Sequence, residues 1–172
     1  VANPSASGIN TSANVAKITA LQTGQPWVGT ETAHGEMGIT WDLSTSNAII
    51  RIMVYKTVIS DVGIKLVTPS SGAQVEIKVP NTKINEWEEL TFDFTSRIGN
   101  GLDGSTNIDQ IVVFPDLNTG GRTSDNVVYF DNITFGAESL SVNRYEIEGL
   151  NAYPNPTSNR WTISTKNENI TS

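Results

Sequence analysis

The sequence has no cysteine and a single histidine, His34. Disulfides, thiol nucleophiles and thiolate metal sites are therefore excluded, and so is a zinc or iron centre built from several histidines. Basic residues are also few, since 11 lysines and arginines stand against 18 aspartates and glutamates and give a net charge of −7. Without a basic stripe the chain has no electrostatic basis for binding a phosphate backbone, so we expect no nucleic-acid partner.

Long apolar runs are missing as well. No stretch approaches the roughly 18 apolar residues that a membrane-spanning helix needs, so we expect no insertion into a membrane. The chain opens at Val1 without the pattern of a signal peptide, and we interpret it as a segment of a longer protein. Asn, Ser and Thr are abundant, whereas charged residues make up only 17%. This composition favours an all-β extracellular domain.

Apolar and polar residues alternate in short runs, which is the pattern of half-buried strands. In one run Ile50, Ile52 and Val54 share a face, while Arg51 and Tyr55 lie on the other. Turn residues separate the runs, and no helix-length apolar periodicity occurs. The predicted strands are Val15–Ala20, Pro26–Thr32, Ala48–Lys56, Asp61–Val67, Ala73–Val79, Trp87–Phe94, Ile108–Phe114 and Val127–Phe135, the last two being central in their sheets. The sequence predicts an antiparallel β-sandwich, of the jelly-roll kind, over residues 1–136.

The composition changes after Gly136. Residues 137–149 are polar and lack a turn–strand rhythm, so we interpret them as a linker. Residues 150–172 contain Tyr153-Pro154-Asn155-Pro156-Thr157 and then Trp161–Ser164, which reads as the first strand of a second, truncated β domain. This segment resembles the opening of the C-terminal sorting domain carried by cargo of the type IX secretion system of Bacteroidetes. The resemblance implies a secreted or surface-attached protein that is recognised by that export machinery.

Several segments of residues 1–136 resemble a jelly-roll carbohydrate-binding module that Bacteroidetes append to laminarinase-like glycoside hydrolases. They are Asn3–Ser12 with Val15–Lys17, Gly24-Gln25-Pro26-Trp27-Val28-Gly29, Trp87–Phe94 and Tyr129–Ile133. The family carries one more strand ahead of the Asn-Pro loop, which is absent from this sequence. The resemblance implies a non-catalytic monomeric module that binds a β-glucan or another algal or plant polysaccharide and tethers an upstream polysaccharide-degrading domain to it.

Two other classes of function stay open at this point. A structural or adhesive surface spacer would not bind glycan, and it needs no exposed aromatic side chain. A jelly-roll enzyme such as a polysaccharide lyase would need Tyr, His and Arg together on one face, for which His34, Tyr55 and Arg51 are the candidates. The acidic residues Glu86, Glu88 and Glu89 do not suggest a glycosidase, because one strand cannot place two carboxyl groups on opposite sides of a bond.

Trp27 is the first candidate for binding sugar. An aromatic ring stacks on the apolar face of a pyranose, and the flanking glycines Gly24 and Gly29 allow a chain to approach closely. The other interpretation is a tryptophan of the sandwich core. The sequence alone leaves both open. Trp41 is expected to close an end of the sandwich, and Trp87 to pack.

Tyr55 and Arg51 form a second candidate pair. They share the strand face opposite Ile50, Ile52 and Val54, so they lie on an outer surface where they can donate to sugar hydroxyls or form an ordinary amphipathic surface. His34 sits in a glycine-flanked loop, where it either bonds a hydroxyl or is simply solvated.

The resemblance also implies a structural calcium ion, held in many such modules between the first and last strands by an acidic residue of the last strand. Asp131 is the candidate ligand here, and Asn10 is its candidate partner, because calcium takes six to eight hard oxygen ligands. The segment Asp103–Asp109 has alternating oxygen side chains but not the glycine placement of a calcium-binding EF-hand loop, so we interpret it as a turn.

Overall fold

The computed structural model describes residues 1–72, 76–99 and 105–137, and the backbone of Asn151–Tyr153 and Thr162–Ser164. The chain divides into two compact units, Val1–Glu138 and Ser139–Ser172. The described part of the first unit is all-β apart from one short 3₁₀ turn at Thr95–Arg97. Its strands are β1 (Ala16–Ala20), β2 (Thr30–Glu31), β3 (Ile49–Lys56), β4 (Asp61–Val67), β5 (Ile77–Pro80), β6 (Trp87–Asp93), β7 (Gln110–Leu117) and β8 (Asn126–Gly136).

These strands form two antiparallel four-stranded sheets. Sheet A has the order β1-β8-β3-β6, and sheet B has the order β2-β7-β4-β5. The chain passes between the two sheets after almost every strand, as in a jelly roll. The predicted sandwich is therefore confirmed. The two most apolar runs, β7 and β8, are internal strands of their sheets, as their composition predicted.

The core lies between the sheets and is built from one face of each strand. Ile50, Ile52 and Val54 of sheet A meet Ile64 and Leu66 of sheet B in a single buried cluster. Because successive side chains of a strand point to opposite faces, the alternate residues of each strand point outward. Burying this apolar face is what fixes the register of the strands.

Most predicted strands agree with the structure to within a few residues, and Asp61–Val67 agrees at both ends. Two predictions differ. The predicted strand Pro26–Thr32 is reduced to Thr30–Glu31, because Pro26 has no N–H to donate and the backbone ahead of β2 is bound by side chains instead. The predicted strand Ala73–Val79 is seen as Ile77–Pro80, and residues 73–75 lie outside the described residues.

In the second unit, β9 (Asn151–Tyr153) pairs antiparallel with β10 (Thr162–Ser164). The strand predicted at Trp161–Ser164 is therefore present as Thr162–Ser164, but it is the second strand of a pair and not the first. The predicted linker at 137–149 and the Pro154–Thr157 motif lie outside the described residues, apart from Ala137. No helix in the described part of the chain is long and apolar enough to cross a membrane.

Candidate functional site

The loop ahead of β2 carries Trp27, whose side chain is 59% exposed. The interpretation of Trp27 as a core residue is therefore wrong. The loop that carries Trp27 is nonetheless held in place, since the carbonyl oxygens of the two preceding residues are both hydrogen-bonded. Arg122 donates from Nη1 to the Gln25 carbonyl at 2.8 Å and from Nη2 to the Pro26 carbonyl at 3.2 Å. The Pro26 carbonyl also accepts from the Asn118 backbone N–H at 3.1 Å.

Arg122 is itself held by a buried carboxylate. Its Nε donates to Asp116 Oδ2 at 2.6 Å, and Asp116 in turn accepts from the Ser60 hydroxyl and from Asn126 Nδ2 at 3.1 Å. Lys56 Nζ lies 3.8 Å from the other carboxylate oxygen, and all three charged side chains are buried. Burial raises the pKa of Asp116, but the hydrogen bonds from Ser60, Arg122 and Asn126 outweigh it and leave that pKa below its usual range. We call Lys56, Asp116 and Arg122 the buried ion cluster.

A groove of about 380 Å³ lies on the outer face of sheet B. This volume is within the range of small-ligand sites. Its apolar lining is buried and forms a floor of Val67, Val112 and Phe114. Its polar lining is Glu31, His34, Lys65, Ser71 and Gln110. We call this surface the sheet B groove.

Phe114 links the groove to the Trp27 loop. A Cβ atom added at Gly29 would lie 2.8 Å from Phe114 Cδ1, and one added at Gly63 would lie 3.2 Å from Cδ2. The ring therefore rests between two glycines, in space that side chains would otherwise fill. Gly29 is two residues after Trp27, so the end of the loop meets one residue of the groove floor. The Lys65 ammonium lies 5.4 Å from the ring centroid, a cation–π distance.

His34 lies on the rim of the sheet B groove. Its Nδ1 is 2.9 Å from Oδ1 of the buried Asp109, and the second carboxylate oxygen accepts from the Gly35 backbone N–H at 3.2 Å. Asp109 therefore fixes both the imidazole and the loop that carries it. With its Nδ1 at a carboxylate, the imidazole has Nε2 left to bond a ligand. The segment before Asp109 was predicted to be a turn, and residues 105–107 do form a bend, while residues 103–104 lie outside the described residues.

Tyr55 and Arg51 lie on the outer face of sheet A, on the other side of the sandwich from the groove. Tyr55 is in register with Tyr129 and Trp87, and its ring meets theirs edge to face at centroid distances of 6.0 Å and 5.7 Å. Tyr55 is half-buried in this row, and Arg51 Nε lies 4.0 Å from Glu89. Of the four predicted sugar-binding residues, Tyr55 and Arg51 thus share the outer face of sheet A. Trp27 and His34 lie beside sheet B, where their loops are bonded at opposite ends of β7, to Asn118 and Asp109.

The N-terminal segment covers the end of this aromatic row. Trp87 is only 4% exposed, and its indole N–H lies 3.0 Å from both Asn3 Oδ1 and the Ser5 carbonyl. The prediction that Trp87 packs is confirmed. Trp41 is half-buried and meets Phe135 edge to face at 5.1 Å.

Asn10 and Asp131, the predicted calcium ligands, are brought together. Asn10 Nδ2 donates to Asp131 Oδ2 at 3.2 Å, whereas Asn10 Oδ1 accepts from the Ser12 backbone N–H at 3.0 Å. The amide thus presents its donor to the carboxylate, and a shared cation would require the amide to turn over. The described residues hold no group of three or more His, Asp or Glu side chains suited to a metal. Even with the amide turned over, the pair would supply at most three of the six to eight oxygens that calcium requires, and the calcium site stays a prediction.

Two sets of candidates remain, the acidic residues near Trp87 and the residues that a lyase would need. Glu88 accepts from the Thr82 hydroxyl at 2.7 Å and from the Thr82 and Lys83 backbone N–H groups, bonds that hold its pKa below the usual range although burial opposes them. Glu86 pairs with Lys83. Since His34 lies in the turn after β2, beside sheet B, and Tyr55 lies on the outer face of sheet A, the Tyr, His and Arg cluster that a lyase would need is not assembled from these residues.

The residues that position Trp27 were missed by the sequence analysis. The sequence does contain one signal for these residues. Lys56 continues the inward-facing residues Ile50, Ile52 and Val54, so this lysine occupies a core position. A charged residue at a core position implies a buried partner, here Asp116. Comparison with known proteins adds no identification, because no protein-family model matches this chain and no curated protein matches it.

Proposed function

We propose that residues 1–136 form a non-catalytic carbohydrate-binding module that holds its ligand at the Trp27 loop and the sheet B groove. The observation that carries the proposal is the 59% exposure of Trp27 on a loop whose backbone is fixed from below. A large aromatic ring that is exposed and yet rigid loses little conformational entropy when a ligand covers it. A spacer without a ligand would have no use for such a residue.

Stacking and hydrogen bonding would share the binding. The Trp27 indole offers a flat apolar face to a pyranose ring, and the groove offers both donors and acceptors to its hydroxyls. Lys65 can donate, and Glu31 and the Nε2 of His34 can accept. One cation and one anion on the rim suit a neutral glycan such as a β-glucan, and the net charge of −7 disfavours sulfated or uronate-rich chains.

We further propose, from the sequence resemblance, that the module belongs to an exported polysaccharide-degrading enzyme. Tethering a catalytic domain to an insoluble glycan raises its effective concentration at the substrate without any new chemistry. The proposed partners are a polysaccharide, an upstream catalytic domain and the type IX secretion machinery, and the proposed location is outside the cell or on its surface. The calcium ion proposed at Asp131 and Asn10 would stabilise sheet A, away from the groove.

The test is affinity electrophoresis of the 172-residue chain in gels containing laminarin, mixed-linkage glucan, xylan, agar or alginate. We expect retardation in a β-glucan gel, and we expect Trp27→Ala to weaken binding by about tenfold or more, since truncating an aromatic anchor costs about 1–2 kcal/mol or more. The stability of this variant should be unchanged, because the ring makes no core contact.

Ile39→Ala is the matched control, because Ile39 is 61% exposed but lies by Trp41 and Phe135, away from the groove. It should bind as the unmodified chain does. Unretarded migration of the unmodified chain in every gel would contradict the proposal and favour the spacer. Undiminished binding by a folded Trp27→Ala variant would remove Trp27 from the site.

A further inference from the structure

We propose that Arg122 is the positioning residue of the Trp27 loop, so that its bonds to the loop backbone set glycan affinity without touching glycan. The inference rests on the proposed function for its consequence in binding, but its structural part concerns Trp27 alone.

The guanidinium group of Arg122 joins two parts of the fold that are distant in sequence. It spans the consecutive carbonyls of Gln25 and Pro26, 97 and 96 residues away, while its Nε and Nη2 bond the carboxylate and the carbonyl of Asp116 at 2.6 and 2.5 Å. The planar fork of arginine can make these four bonds together, and a lysine cannot. Because β7 holds Asp116 in sheet B, the loop is fixed relative to the groove that the same strand lines.

The bonded carbonyls lie immediately before Trp27. Pro26 has a fixed φ and restricts the conformation of Gln25, so with the Gln25 and Pro26 carbonyls also bonded, the backbone that leads into Trp27 is held in place. Nothing comparable holds the indole itself, which is mostly exposed. Loss of the two carbonyl bonds should therefore free the loop, and ordering it again on ligand binding would cost affinity.

The cluster contains its own control. Lys56 Nζ is bonded to the Ser60 carbonyl and hydroxyl at 3.0 and 2.7 Å and lies 3.8 Å from Asp116, but it bonds no atom of the Trp27 loop. Arg122→Lys keeps a positive charge beside Asp116 and removes the fork, whereas Lys56→Met removes a charge from the same cluster and keeps the fork. Both perturb buried electrostatics, and only the first should reach Trp27.

The experiment uses ¹⁹F NMR of the 172-residue chain labelled with 5-fluorotryptophan, with the Trp27 resonance assigned by Trp27→Phe. In Arg122→Lys we expect the Trp27 resonance to move toward its position in the urea-unfolded chain, while the resonances of Trp41 and Trp87 stay in place. Affinity for the retarding glucan should fall by about two- to tenfold, the cost of ordering one or two side chains. Lys56→Met should leave both the Trp27 resonance and the affinity unchanged.

A Trp27 resonance that is the same in Arg122→Lys as in the unmodified chain would overturn the proposal, and so would an equal change in Lys56→Met. If Arg122→Lys does not fold, Asn126→Ala is the second variant. Asn126 bonds Oδ2 of Asp116, the oxygen that also accepts from Arg122 Nε, whereas Lys56 faces Oδ1, and the change keeps every charge. It should shift the Trp27 resonance in the same direction, and no shift would contradict the proposal. If the resonance responds as expected but no glucan binds the unmodified chain, the positioning role stands and the proposed function fails.

Discussion

The outer faces of the two sheets use aromatic residues in opposite ways. On sheet A, Tyr129, Tyr55 and Trp87 form a row across three strands, and the N-terminal segment covers its Trp87 end. On sheet B, Phe114 is pressed into the sheet between Gly29 and Gly63, and Trp27 stands exposed on the loop two residues before Gly29. On sheet A the aromatic rings pack against each other, whereas on sheet B the Trp27 ring and the sheet B groove remain open to solvent.

The difference shows what an aromatic residue needs in order to serve as a binding surface. Strand register alone brings rings together, but neighbouring rings in a row cover each other's faces. The Trp27 ring is not covered by neighbouring rings because it lies on a loop. The backbone of that loop is fixed by Arg122 rather than by contacts of the indole. Exposure and rigidity are thus supplied by different parts of the molecule.

The largest expected effect is on the free energy of unfolding, when a tryptophan on each face is replaced by alanine. Trp87→Ala should lower the free energy of unfolding by about 3–5 kcal/mol, because it opens a buried cavity and removes the hydrogen bonds from the indole to Asn3 and Ser5. Urea unfolding measures this loss. The fraction of Trp87→Ala that remains folded should bind glucan normally, the reverse of the behaviour expected of Trp27→Ala. Weakened binding by folded Trp87→Ala would break the comparison.

A smaller effect is expected where β2 approaches Phe114. Gly29→Ala places a Cβ 2.8 Å from the Phe114 ring and 2.9 Å from the Val113 carbonyl, and the backbone atom cannot move aside. We expect a loss of about 1–3 kcal/mol in urea unfolding, together with weaker glucan binding because Phe114 and the loop shift. Gly120→Ala is the control, since its Cβ meets only Asn118 Oδ1 at 3.5 Å. Equal stability of the two variants would contradict the proposed fit of the ring.

The third effect concerns pH. Burial lowers the pKa of Lys56 from 10.5 to about 8, against the opposing influence of Asp116 and Asp61. Between these values the unfolded chain binds more protons at this group than the folded chain does, so the contribution of Lys56 makes the free energy of unfolding rise with pH. The stability of the unmodified chain relative to Lys56→Met should therefore increase from pH 8 to pH 10.5 in urea unfolding. A relative stability that falls over this range would show that Lys56 stays charged in the fold.

The sequence predicted the sandwich because alternation of apolar residues is a local property that burial enforces strand by strand. The bounds of β4 follow from it directly, and so does the outward placement of Arg51 and Tyr55. The aromatic row was not predicted, because it depends on the register between β3, β6 and β8. Register is set by the whole buried face and is not visible in any one run.

The candidate site was predicted only in part. Trp27 and His34 were singled out, but the sequence could not decide whether Trp27 is buried. The position of its loop depends on bonds from Arg122, which follows Trp27 by 95 residues. The partner of His34 is likewise distant, at Asp109. Tyr55 and Arg51 lie on the other side of the sandwich from the groove, because the chain crosses between the sheets before β3.

The most direct test of the account is an NMR titration of the ¹⁵N-labelled chain with the oligosaccharide of the glucan that retards it. The account predicts that the perturbed resonances are the Trp27 indole and the backbone amides of Lys65, Val112 and their neighbours in sheet B. Perturbations gathered instead around Arg51, Tyr55 and Tyr129 would place the ligand on sheet A and contradict it.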